Sequence, residues 1–382
     1  MLPFTYAVRN LFRDPSRLLQ TVGGAGLVVF LLMTAAAFNE GMSSVLSGSG
    51  SPKNVILLGT GSEESLERSE VHLEAEDIAA TSVKGIEQKL GRAAVSGEIT
   101  YQAPVETESG VKEQAILRGV LEDALLVHRA VELETGNFPG PGQVMVGRLA
   151  HRKLGVAEEE LATGRSIRFG DATLTVSGIF AAPGTVLESE IWFDRNDLAT
   201  LTQRDTLSAV YLRLDQGKWE DVNVFTLQRN DLELTAIRED RYYEKLAAFY
   251  QPIQVMTWLT AGLVAAGALF GGLNTLYAAF ASRIRELATL QSIGFTRVAI
   301  FLSLVQESLL ATLTGTLLAL LVGYFWIDGT AVPFSIGTFH LDLSPAVILT
   351  GVAVGILLGI IGILPPVWRT LSPALPKALR SQ

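Results

Sequence analysis

The sequence predicts a membrane protein of four transmembrane α-helices, with a large α/β domain, expected as two subdomains, inserted outside the cytoplasm between the first and second helices. Three observations carry this. Four apolar stretches, at about 18–38, 255–281, 299–326 and 345–367, each supply the roughly 20 residues that a helix rising about 1.5 Å per residue needs to cross the hydrocarbon core. Some 200 residues without such a run separate the first stretch from the second. Finally, nine of the 30 Lys and Arg lie outside residues 44–250: Arg9, Arg13, Arg17, Arg283, Arg285, Arg297, Arg369, Lys377 and Arg380. Each sits at one and the same side of the proposed spans, and because Lys and Arg are enriched in cytoplasmic loops, both termini are placed in the cytoplasm.

Taken in order, the first stretch competes with a cleaved leader, since Ala35, Ala36 and Ala37 offer an A-x-A site. A run of about 20 residues exceeds the 7–15 of a leader's apolar region, which favours a span. Beyond it, 54–59 (NVILLG) reads as a short strand, 73–90 has helix-like apolar spacing, and 94–101 and 114–120 read as strands. The Gly/Pro cluster at 136–142 marks a turn-rich boundary, and the two subdomains are expected to divide near 120–135. A helix is expected over 146–154, a hairpin over 166–180 turned at Gly170-Asp171, and further strands at 191–193 and 210–214. From Asp240 the pattern is helical and runs into the second span. A helix of about 40 residues is roughly 60 Å long, a stalk as well as a span, with a kink expected at Pro252. The segment 328–344 joins the third and fourth spans and carries only Asp328 and Asp342 as charges, as suits an outer loop.

Composition narrows the function. Residues 44–250 hold 21 Lys plus Arg against 33 Asp plus Glu, an acidic balance that argues against nucleic-acid binding. With no cysteine, disulfides, thiolate zinc sites and cysteine nucleophiles are excluded. The histidines, at 72, 128, 151 and 340, are too scattered to suggest a metal site, and no Ser/His/Asp set or carboxylate pair can be argued from spacing. The chain is therefore read as non-catalytic.

The most specific local signal lies between the second and third spans. In the run 283–297, RIRELATLQSIGFTR, Ile284, Leu287, Leu290 and Ile293 share one helical face, charges flank it, and Gly294 supplies a stop. This is a short amphipathic cytoplasmic helix. It resembles the loop of FtsX-like ABC transporter permeases, the MacB and LolC/LolE group. The similarity extends to the N-terminal Asn10-Leu11-Phe12, to 142–147, 149–150, 154–155, 164–167 and 174–180 in the outer region, which resemble the MacB-type periplasmic core, and to the tail at 373–380. The domain boundaries implied are 1–43 for the N-terminal segment and first span, 44–240 for the periplasmic core domain and 241–382 for the stalk and remaining spans, with a coupling helix at 283–297.

The resemblance implies a permease subunit in the bacterial inner membrane, multi-pass, working by mechanotransmission. Its coupling helix, carried here onto Arg283, Arg285, Glu286, Leu287, Leu290, Ile293, Gly294 and Arg297, would dock into a groove on a cytoplasmic ABC ATPase, present in two copies, and the periplasmic domain would move to export or release a hydrophobic or amphipathic substrate. No G-x-x-x-x-G-K-[ST] occurs, and Gly217-Lys218 is followed by Trp219, so without a phosphate-cradling nest ATP and magnesium are assigned to the partner and no cofactor to this chain. A second permease copy is implied, a homodimer being the simple case and a heterodimer the alternative, as is a periplasmic adaptor. The alternative function is that of the cell-division members, activation of an outer cell-wall hydrolase; the large outer domain favours export or release. Gly267 and Gly271 in the second span, and Gly351, Gly355 and Gly359 in the fourth, form small-xxx-small faces that let helices approach closely; the first pair suits a seam between copies, the second set packing within the chain. Glu307 is the one ionisable residue well inside a span. A structural role, bonding helix ends near the loop, is favoured over a proton relay.

Overall fold

Long apolar helices dominate both ends of the chain and short alternating segments its middle, and the computed structural model, which describes residues 4–371 apart from 90, 282 and 283, follows that division. Along the chain, α1 (Phe4–Leu11) and α2 (Pro15–Ser49) lead to β1 (Asn54–Gly59), α3 (Glu74–Ser82), β2 (Gln88–Lys89), β3 (Arg92–Ala93), β4 (Val95–Thr107) and β5 (Lys112–Val120). Then come α4 (Ala124–Val127), β6 (Glu132–Gly136), β7 (Gln143–Gly147), α5 (Ala150–Leu154), β8 (Ser166–Phe169), β9 (Ala172–Ala181), β10 (Ile191–Asp194), α6 (Arg195–Thr202), β11 (Ala209–Arg213), α7 (Trp219–Gln228) and β12 (Leu234–Arg238). The chain finishes with α8 (Glu239–Ala281), α9 (Ile284–Ser292), α10 (Arg297–Trp326), the hairpin β13 (Thr330–Phe334) and β14 (Gly337–Leu341), α11 (Pro345–Ile361) and α12 (Leu364–Leu371).

These elements form two units. The first is Met1–Glu40, Pro252–Thr330 and Leu341–Gln382; the second is Gly41–Gln251 with Ala331–His340. Among the described residues three helices, Pro15–Ser49, Glu239–Gly272 and Arg297–Trp326, are long and apolar enough to cross a membrane. The fourth apolar stretch, expected to run as a span to 367, stops as a helix at Ile361 after 17 residues. Gly362 follows, and Pro365 and Pro366 open α12, as befits residues that lack an amide proton and belong in a first helical turn. Helix starts are capped from the sequence: Thr296 Oγ1 accepts the amide of Ala299 at 3.2 Å, and Ser344 Oγ accepts that of Val347 at 3.2 Å. Pro252 lies inside α8, which continues through it.

In the second unit one ten-stranded sheet runs β12-β1-β11-β4-β5-β10-β7-β9-β6, with β8 bridging β4 and β9. The pairings of β5 with β10 and of β7 with β9 are parallel; the others are antiparallel. β4 is 13 residues long and joins the two halves of this sheet, pairing β11 through its first residues and β8 through its last. Of the expected helix over 146–154 only α5 forms: the apolar triplet Val144, Met145 and Val146 is a buried strand between β9 and β10. The helix expected to 90 ends at Ser82. Gly85 takes φ +80°, and a Cβ there would lie 3.2 Å from the carbonyl carbon of Gln216, so the chain turns where only glycine fits. Leu90 lies outside the described residues. Phe180 and Trp192, 4.8 Å apart between centroids, anchor a core with Val120, Met145 and Leu187.

Candidate functional site

Within the run 283–297 the described helix is α9, Ile284–Ser292, and its apolar face is used within its own chain. In α9, Leu287 is buried with Ile300, Leu304, Ile363 and Val367, and Leu290 packs against that cluster. Leu287, expected among the residues that fill a partner's groove, faces inward instead, with Ala288 at 2 % exposure beside it. Glu286 accepts hydrogen bonds from Tyr6 Oη at 2.9 Å and from Arg13 Nη1 at 3.2 Å, tying α9 to the N-terminal segment. The helix ends at Gly294, whose φ of +106° is open to glycine at little cost; the Phe295 amide donates back to the Leu290 carbonyl at 3.1 Å, which satisfies a terminal carbonyl. Arg285, Ile293, Gly294 and Arg297 stay exposed, Ile293 at 71 % and the neighbouring Val298 at 66 %. Arg283 and the tail at 373–380 lie outside the described residues. The exposed ridge is thus made of Arg285 on α9, Ile293 just past its end and Arg297 at the start of α10, with α9 held from behind through Leu287 and Glu286.

Glu307 is buried at 2 % exposure in α10. It accepts a hydrogen bond from Asn10 Nδ2 at 2.6 Å and pairs with Arg17 Nη2 at 3.0 Å. A carboxylate within an apolar helix is costly unless it is paired and hydrogen-bonded, and here both conditions are met by α1 and the start of α2. The geometry is that of a staple between helix ends close to α9.

The two sets of glycines differ. A Cβ at Gly351 would collide with the Met33 thioether, one at Gly355 with Thr316 Oγ1, and one at Gly359 would lie 2.6 Å from Thr312 Oγ1, so these three pack α11 against α2 and α10. At Gly267 and Gly271 an added Cβ meets nothing within 4 Å among the described residues. Sequence reasoning missed a closer crossing, where a Cβ at Gly315 would lie 2.5 Å from the Val22 carbonyl and 2.9 Å from the Gly26 amide; with glycines common throughout these helices, nothing marked this pair.

The second unit holds a buried ionic cluster that spacing alone does not reveal. Arg118 on β5 donates through Nε and Nη2 to both oxygens of Glu190, at 2.6 and 2.7 Å, and through Nη1 to Glu98 on β4 at 2.7 Å. His128 Nε2 lies 2.7 Å from the other Glu98 oxygen. Burial by itself would raise the Glu98 carboxyl, but the His128 and Arg118 charges and hydrogen bonds outweigh it and hold it at about 2. The same pairing raises His128 above its ordinary value of 6.5 against the desolvation that opposes it. The residues involved are spread in sequence from Glu98 to Glu190, so no local motif announces them.

Comparison with known proteins bears on both units. The model for the MacB-like periplasmic core domain matches residues 18–223, and that for the FtsX-like permease C-terminal matches residues 258–374. No curated protein matches the chain. Among solved structures, the periplasmic region of MacB from Actinobacillus actinomycetemcomitans is similar over 52 % of this chain and 94 % of that one, at 10 % identity and a TM-score of 0.39. The extracellular domain of the noncanonic ABC-type transporter YknZ from Gram-positive bacteria is similar over 48 % and 99 %, at 14 % identity and a TM-score of 0.37. The assignment rests on the two family models, one of which spans more than half of the chain: it belongs to the FtsX-like, MacB-type permeases of ABC transporters, membrane proteins with a periplasmic domain that work with a cytoplasmic ATPase.

Proposed function

We propose that this chain is the mechanical subunit of such a transporter: four spans with both termini in the cytoplasm, the domain outside, and a separate ATPase that binds ATP and magnesium and docks on α9. Two copies of the permease, most simply identical, would meet along α8, and two ATPases would drive them. The observation that carries this reading is the unbroken helix α8, 43 residues from Glu239 to Ala281, or about 65 Å at 1.5 Å per residue, followed at once by α9. A rod of that length transmits movement at its cytoplasmic end to the domain from which it emerges. The cargo would be hydrophobic or amphipathic, exported or released at the outer face, with a periplasmic adaptor as a further partner.

Because α9 is braced by Glu286 and Leu287, displacement of its exposed ridge is passed on to α10, α12 and the N-terminal segment. Ile293 would enter the ATPase groove, with Arg285, Arg297, Gly294 and, outside the described residues, Arg283 setting register around it, the usual division between an apolar anchor and a polar rim. The test is Ile293→Asp. Ile293 is 71 % exposed, so the fold and the insertion should persist while the ATPase no longer co-purifies, an uncompensated charge at an interface costing several kcal/mol. Co-purification at full yield would show that the ATPase docks elsewhere.

A further inference from the structure

Three carboxylates and one guanidinium share the interior of the second unit: Glu98, Glu190, Glu239 and Arg118 are each 3 % exposed or less. Two negative charges would remain uncompensated were these the only ions, and buried charge without a partner is strongly unfavourable. His128, 4 % exposed, stands where a further cation is required, with Nε2 2.7 Å from Glu98 and Nδ1 4.0 Å from Glu239 Oε1.

Glu239 is the first residue of α8. Its Oε2 accepts the amide of Ser51 at 2.9 Å and Asn54 Nδ2 at 3.0 Å, so one carboxylate gathers the chain leaving α2, the start of β1 and the start of α8. The backbones meet there as well: a Cβ at Gly50 would lie 2.6 Å from Asp240 Cα and 2.9 Å from the Glu239 carbonyl oxygen. We propose that His128 is a proton-dependent clasp, which when charged holds Glu239 and with it the first turns of α8 against the domain core, and when neutral releases them.

Two groups at the clasp titrate in the same sense: His128, and Glu239, whose carboxyl burial raises in spite of the His128 charge and the hydrogen bonds from Ser51 and Asn54; the other groups around the imidazole hold their charge state. Glu98 on β4, held at about 2, stays anionic. Arg118 on β5 stays charged, its guanidinium raised further by Glu190, Tyr211 and Glu98 in spite of burial. Tyr211 on β11, whose ring lies 4.9 Å from the imidazole, is pushed upward by burial and stays neutral. Glu190 is bound by Arg118 and by Trp192 Nε1 at 2.9 Å, Arg129 by Glu87 at 2.6 Å, and Tyr243 lies buried one turn along α8. A histidine raised above 6.5 in the folded state contributes stability that is full below 6.5 and is lost as pH rises through its raised value. Release of α8 is therefore an event of rising pH.

Hydrogen exchange on the full chain in lipid nanodiscs tests this without any ATPase, so its outcome is independent of the transport reading. After correction for intrinsic exchange, amides 243–250 of the wild type should lose at least tenfold in protection between pH 6 and pH 9, while β4 and β5 stay protected. In Glu239→Gln, which removes the charge that needs His128, protection should stay high and flat with pH. In His128→Gln it should be low and flat. A wild-type profile flat from pH 6 to 9 with the domain folded would overturn the proposal. Should His128→Gln fail to fold, the NMR titration of the wild-type His128 ring decides: a midpoint above 6.5 supports the clasp and one below it contradicts it.

Discussion

Two kinds of helix face look alike in this sequence and are treated oppositely by the fold. Gly351, Gly355 and Gly359 are closed against Met33, Thr316 and Thr312, whereas at Gly267 and Gly271 an added Cβ meets nothing within 4 Å among the described residues. The same contrast occurs within a few residues, Leu287 in α9 at 2 % exposure and Ile293 just past its end at 71 %. Small residues permit close approach without choosing the partner, and an apolar stripe records that something covers it without saying what. Closed faces hold this chain together, and we propose that the face carrying Gly267 serves association between copies.

That distinction can be broken by substitution. The largest effect belongs to Leu287→Asp, which places a charge in the cluster of Ile300, Leu304, Ile363 and Val367; a loss of about 3–5 kcal/mol is expected, read as failure to recover folded protein, in contrast with the fold-neutral Ile293→Asp. Next comes Gly355→Leu. Overpacking against Thr316 should cost about 1–3 kcal/mol or more, lowering the thermal midpoint in detergent; an unchanged midpoint would mean that α11 is not packed as described. Smaller is Gly267→Leu, which should leave the midpoint in place yet weaken self-association, measured by energy transfer between labelled copies in lipid, by about 1 kcal/mol or roughly fivefold. If Gly267→Leu instead destabilises the single chain, the contrast between open and closed glycines fails.

Much of the architecture was legible in advance because single segments carry it. The strand at Asn54–Gly59, the hairpin of β8 and β9 and the helix from Glu239 into the apolar stretch follow from local periodicity and turn residues. What was illegible depends on partners far away in sequence. The strand β6 is exposed along its whole length and polar, with no alternation to mark it, and forms only because β9 offers an edge. Val144–Val146 reads equally as buried strand or helix, since a short apolar run has no decisive period. Leu287 and Ile293 share a helical stripe, and only the presence of α10 and α12 tells them apart. His128 looked like one of four scattered histidines until β4, β5 and α8 brought Glu98, Arg118 and Glu239 around it.

Transmission through α8 is the central claim, and it is tested most directly by interrupting that helix where the two units divide, between Gln251 and Pro252. Inserting Gly-Gly-Ser-Gly there leaves α9 and the sheet untouched, so ATPase co-purification and the folded domain should be retained. Glycine and serine linkers behave as flexible coils, so movement of one end should no longer reach the other. The measurement is ATP turnover by the reconstituted complex in membranes with and without cargo or adaptor. The account predicts that turnover persists but ceases to respond to either, and that export or release falls sharply; full response and full transport in the inserted variant would contradict it.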